Sequence, residues 1–183
     1  MSRIYRIAIY FLFVILAGGG GYLLREHQES PRTGSSSATL VGQARPDFSL
    51  KDFGGESRPV SEWNGKVLLL NFWATWCAPC QKEIPELIAL QDDYKEQGLQ
   101  IVGIAIDELG TTQEFATQAG INYPTLTGEE EAIQVAVRYG NTIGALPYTV
   151  IVDRNKRIAF TQHGQVRRDE IESLIRRLLG IPA

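Results

Sequence analysis

Lys66 to Trp73 reads KVLLLNFW, and no other stretch of the chain limits its fold so tightly. The run has the length of a strand and lacks the apolar–polar alternation of a half-exposed one, so it fits a strand covered on both faces. Leu99 to Ile106, LQIVGIAI, has the same character. Between the two lies a helical period: Ile84, Leu87, Ile88 and Tyr94 share a face, while Lys82, Glu86, Asp92 and Lys95 can stay wet. Pro85 falls inside that period and predicts a bend about one turn in.

Further elements surround this pair of strands. Extended pieces around Phe48 to Leu50 and Pro59 to Val60 flank the turn-like Asp52-Phe53-Gly54-Gly55, which predicts a small hairpin. Thr111 with Glu114, and Thr127 with Glu130, have the spacing of capping boxes and predict two short helices after the second buried strand. Tyr148 to Val152 and Arg157 to Gln162 read as a hairpin about Asp153-Arg154-Asn155. The end is an amphipathic helix with Ile171, Leu174, Ile175, Leu178 and Leu179 on one stripe. This order implies one α/β domain over 40–183, with a mixed central sheet flanked by helices on both faces.

The N-terminus is different in kind. Arg3 and Arg6 precede an uncharged run from Ile7 to Leu24, which as a helix spans about 27 Å, close to a hydrocarbon core of roughly 30 Å. A cleaved signal has a shorter apolar region with a small-residue site close behind, and here Arg25, Glu26 and His27 follow. Residues 1–24 are therefore expected to be a retained, single-pass anchor, although Gly18 to Gly21 weaken its helix. The cations before the run keep the N-terminus in the cytoplasm and export the rest. Residues 25–39, polar and aperiodic, read as a flexible tether. A formal charge of -3 leaves no basic footprint for nucleic acid.

Both cysteines lie just past the first buried strand, as Cys77-Ala78-Pro79-Cys80. Structural zinc needs about four ligands; the chain has two cysteines and two histidines, and His27 is in the tether. Copper(I) on Cys77, Cys80 and His163 remains an alternative, as a carrier rather than an enzyme. A structural disulfide across so short a ring constrains little of the unfolded chain. Exchange chemistry fits the spacing better. At a helix start the first sulfur meets unpaired backbone N–H groups and the positive end of the dipole, which makes Cys77 the nucleophile and Cys80 the resolving thiol. Glu83, three residues on, is a candidate base for Cys80, or else a solvated first-turn carboxylate.

FWATWCAPC after a buried strand, with Leu146-Pro147 opening a later one, resembles the thioredoxin fold. From Val41 to Ile181 the chain resembles its membrane-tethered TlpA/ResA branch of thiol-disulfide oxidoreductases. The matching features are Gly42 to Leu50 (GQARPDFSL), Asn71, Glu83-Ile84-Pro85 and the extra segment from Asp107 to Tyr139. The resemblance implies a central βα-type insertion over that segment, Trp73 and Trp76 bordering the site, and a cis Pro147. It also implies a substrate-facing surface of Trp76, Ala78, Pro79, Leu146 and Pro147, with the Leu146 backbone pairing to a substrate strand. Thioredoxins carry a buried aspartate where this chain has Asn71; the resemblance implies that Glu83 substitutes for it.

The expected activity is reduction of disulfides in exported proteins, such as apocytochrome c or copper-site proteins. A membrane thiol reductase would supply electrons; no cofactor or metal is expected, and a monomer is. A peroxidase is the other alternative, since GQARPDFSL also resembles the opening of peroxiredoxins. Those need Thr or Ser three residues before the reactive cysteine and Pro four before that, places held here by Ala74 and Leu70.

Overall fold

A computed structural model describes residues 40–182; the expected anchor and tether lie outside them. Seven strands and four helices follow in order: β1 Ser49–Asp52, β2 Ser57–Pro59, β3 Val67–Trp73, α1 Ala78–Tyr94, β4 Leu99–Ala105, α2 Leu109–Gln118, β5 Thr125–Thr127, α3 Glu130–Arg138, β6 Tyr148–Val152, β7 Ile158–His163 and α4 Arg168–Leu179. One sheet holds all seven strands in the order β2-β1-β5-β4-β3-β6-β7. Strand β3 runs parallel to β4 and antiparallel to β6, so KVLLLNFW is central and every residue of β3 is buried.

The period of two in β3 sorts its side chains between two layers. Leu68, Leu70 and Phe72 join Val102, Ile104, Val150 and the buried residues of α3. Val67 and Leu69 instead meet Leu87 and Leu90 of α1 and Ile171 and Ile175 of α4. Asn71 and Trp73 share that second face, and it carries the cysteines. Helix α1 runs through Pro85 without interruption.

Two local expectations fail. Neither capping box forms: α2 starts at Leu109 after Glu108, with Thr111 inside it, and α3 starts at Glu130 after Glu129. Thr127 closes β5, paired with Lys51 on one side and Ala105 on the other. Backbone pairing on two sides outweighs one side-chain cap, worth roughly 1 kcal/mol. The segment between β4 and β6 therefore holds a strand as well as two helices.

Candidate active site

Strand β3 ends at Trp73, and four residues later Cys77 is the N-cap of α1, with its N–H donated to the Ala74 carbonyl at 3.2 Å. Cys77 and Cys80 form a disulfide, with Cα atoms 5.3 Å apart. The Cys80 N–H points at Cys77 Sγ at 3.3 Å, one of the unpaired amides of the helix start. Pro79, in the first turn, lacks an N–H where none is needed. Cys77 retains 5% exposure and Cys80 none, the ordering an attacking and a resolving sulfur require.

Of the two tryptophans expected to border the site, Trp76 stands 70% exposed beside the pair. Trp73 is buried in the cluster that holds both cysteines, packed against Phe115. The Leu146–Pro147 bond is cis, and Leu146 packs against the cluster that contains both cysteines. Among the described residues neither main-chain polar group of Leu146 has a hydrogen-bond partner. Next to it a groove of about 440 Å³ is lined by Trp76, Ile106, Ile133, Val137, Ile143 and Leu146.

Glu83 is fully buried, which overturns the solvated-carboxylate alternative. Its Oε1 accepts from Asn71 Nδ2 at 2.7 Å and its Oε2 from the Val166 N–H at 2.9 Å. Burial pushes its pKa up to about 7, although both hydrogen bonds oppose that shift. Glu86, expected on the wet side, is half-buried and accepts the Arg168 N–H at 2.6 Å, so it caps α4.

His163 does not join the cysteines. It pairs with Tyr148 across β6 and β7, ring against ring at 4.5 Å, on the α3 side of the sheet, whereas the disulfide sits on the α1 side. Directly opposed residues share a face, so the three copper ligands are not brought together. Ala74 and Leu70 are both buried, and neither offers a hydroxyl or ring to a peroxide.

Three contacts here had no sequence expectation. Asp107 Oδ2 accepts the Thr75 N–H at 3.0 Å, Gln81 Nε2 donates to the Thr75 carbonyl at 2.6 Å, and the Val166 amide holds Glu83. A signal existed for the first. A carboxylate directly after a parallel strand sits at the strand's C-terminal end, where α/β sheets place their sites.

A profile of the AhpC/TSA family matches residues 41–161. The chain belongs to the AhpC/TSA family. Within that family it is similar to the thiol-disulfide oxidoreductase ResA of Geobacillus kaustophilus, 31% identical over 162 residues that cover 88% of each chain. ResA of Halalkalibacterium halodurans is 31% identical over 140 residues, 76% of this chain and 77% of that one. Among solved structures, a thiol:disulfide interchange protein of the thioredoxin family from Chlorobium tepidum TLS matches with a TM-score of 0.67 and 27% identity. It covers 75% of this chain and 96% of that one. This AhpC/TSA member is thus a thiol-disulfide oxidoreductase of the ResA type on a thioredoxin-like fold, with Cys77 and Cys80 joined in a disulfide.

Proposed function

We propose that this oxidoreductase reduces disulfides of exported proteins, working outside the cytoplasm at the end of a membrane anchor formed by residues 1–24. The observation that carries the reading is Glu83, a buried carboxyl with a pKa of about 7, one helical turn past Cys80. Near neutrality such a group exists in both forms, which suits it to take a proton and return it.

The reaction runs in two exchanges. Cys77 thiolate, favoured by the Cys80 N–H and the helix dipole, attacks one sulfur of a partner disulfide; a Cys77–partner bond forms and the partner's other sulfur leaves as a thiolate. Glu83 then takes the Cys80 proton, and Cys80 sulfur displaces the partner from Cys77. Two electrons pass to the partner, and the protein is left with the Cys77–Cys80 disulfide. A membrane dithiol reductase returns it to the dithiol.

Direction follows from the surroundings of the pair. A strong oxidant needs its reduced thiolate stabilised, and the residues between the cysteines, Ala78 and Pro79, carry no charge to do so. The unpaired main chain at Leu146 suits an added substrate strand, as in β-strand augmentation, with Trp76, Ala78, Pro79 and Pro147 beside it. Candidate substrates are apocytochrome c, whose haem-binding cysteines must be reduced before attachment, and copper-site proteins of a terminal oxidase.

A Cys80→Ser variant stops the reaction at the mixed disulfide. Mass spectrometry of adducts on Cys77 in intact cells is expected to recover exported cysteine-containing proteins. A reduction potential more positive than about -150 mV, toward the oxidant end of the thioredoxin-fold range, would overturn the reductase direction.

A further inference from the structure

Trp73 and Ala105 are the last paired residues of β3 and β4, so the chain just beyond them brings Thr75 alongside Asp107. Thr75 has each of its polar groups engaged. Its N–H and hydroxyl both donate to Asp107 Oδ2, at 3.0 and 2.5 Å, and its carbonyl accepts from Gln81 Nε2. The other carboxylate oxygen, Oδ1, accepts the Glu108 N–H at 2.9 Å, at the N-cap of α2. Burial works against the charge on Asp107, and these three bonds outweigh it and hold the carboxyl below its usual range.

The neighbours of Thr75 differ sharply. Ala74 is fully buried in the cysteine cluster, and Trp76 is 70% exposed. Thr75 is therefore the point at which the loop is fastened before it turns outward, and one oxygen of Asp107 makes two of the three fastening bonds. We propose that Asp107 is a positioning residue for substrate engagement: by fixing Thr75 it sets the direction in which Trp76 and Cys77 meet a protein disulfide. This rests on the reading of Trp76 as substrate-facing.

The disulfide exchange itself does not pass through Asp107. A small disulfide that reaches Cys77 without touching Trp76 should be indifferent to the fastening, whereas a folded polypeptide should not. Asparagine keeps the geometry at Thr75, since its Oδ1 can accept both Thr75 bonds as Oδ2 does now; it gives up the charge and the Glu108 N–H bond, which its Nδ2 cannot accept and which does not touch Thr75. Alanine accepts neither.

The experiment uses the full chain, solubilised in detergent and fully reduced. Second-order rates of its oxidation are measured with insulin and with glutathione disulfide, each reaction passing two electrons from the Cys77/Cys80 dithiol to the disulfide. Asp107→Ala is expected to slow the insulin reaction about tenfold and the glutathione disulfide reaction less than twofold, with Asp107→Asn close to wild type on both. Should Asp107→Ala fail to fold, Thr75→Val, which removes one of the two bonds, is expected to lower the insulin rate about threefold and to spare glutathione disulfide. Equal losses with both disulfides, or an asparagine variant as slow as the alanine one, would overturn the proposal. Trp76→Ala separates it from the reading beneath. An unchanged insulin rate there removes the substrate-facing role of Trp76, whereas a slowed rate with an unaffected Asp107→Ala removes Asp107 alone.

Discussion

Asn71 Nδ2 donates to Glu83 Oε1 at 2.7 Å, joining the middle of the central strand to the second turn of α1. An amide cannot take a proton, but here it holds the group that can. Each oxygen of Glu83 faces one donor, Asn71 or the Val166 amide, so the ionised form is fully bonded while burial favours the neutral one. The opposition of these effects leaves Glu83 near neutrality.

Glu83→Gln replaces two acceptor oxygens with one, and its amide N–H group meets a donor on one side. Loss of the base is expected to slow the resolving step about 100-fold and to flatten its pH dependence between pH 6 and 8. Stopped-flow measurement of the mixed-disulfide lifetime across that range decides the matter. A profile that still bends near pH 7 would remove Glu83 as the base.

The same carboxyl affects stability with a definite sign. Its folded pKa, about 7, lies above the ordinary 4.5, so the native state binds the proton more tightly than the unfolded chain. The stability it contributes is fully present below pH 4.5 and is lost as pH rises through 7, a change of about 3 kcal/mol. Glu172, held down to about 2 chiefly by Arg168, acts oppositely below pH 4.5. Urea titrations of the oxidised protein from pH 4 to 8, taken as the difference from Glu83→Gln, isolate the Glu83 part.

Asn71→Asp would set a second carboxyl within hydrogen-bond distance of Glu83 in a buried site. Two such groups cannot both ionise without large cost, so the pair is expected to share one proton and lose it at an apparent pKa above 7. The resolving step should then reach full rate only at higher pH, and stability at pH 8 should fall by about 3 kcal/mol. An unchanged rate–pH profile would show that the Asn71 amide does not influence the acid.

Gly103 lies opposite Asn71 across β3 and β4, and a Cβ there would sit 3.0 Å from Trp73 Nε1 and 3.3 Å from Thr125 Oγ1. Both side chains are buried, and Trp73 is packed against Phe115. Gly103→Ala is expected to cost about 1 to 3 kcal/mol and to alter Trp73 fluorescence. Thermal unfolding at the wild-type midpoint would mean that the indole gives way freely.

How legible each part was depends on how local its cause is. Strand β3 and strand β4 could be read because a long apolar run has few other folds available, and α1 because its period repeats over several turns. Strand β5 could not: Thr125–Thr127 is too short for a period and exists through its pairing with β1 and β4. The capping signal at Thr127 was real as a local preference and lost to those pairings. The copper alternative used composition correctly, yet sheet register put His163 on the far face.

The sequence by itself determined the dithiol and its place at a helix start, because a separation of three residues and the apolar runs beside it act through neighbouring backbone. Only the tertiary structure decided what kind of acid Glu83 is. Its partners, Asn71 and Val166, stand 12 and 83 residues away, and they arrive together with the core that excludes water. Desolvation belongs to the surroundings of a group rather than to the group, so a carboxylate that spacing alone left open between a base and a solvated side chain is a buried acid poised near neutrality.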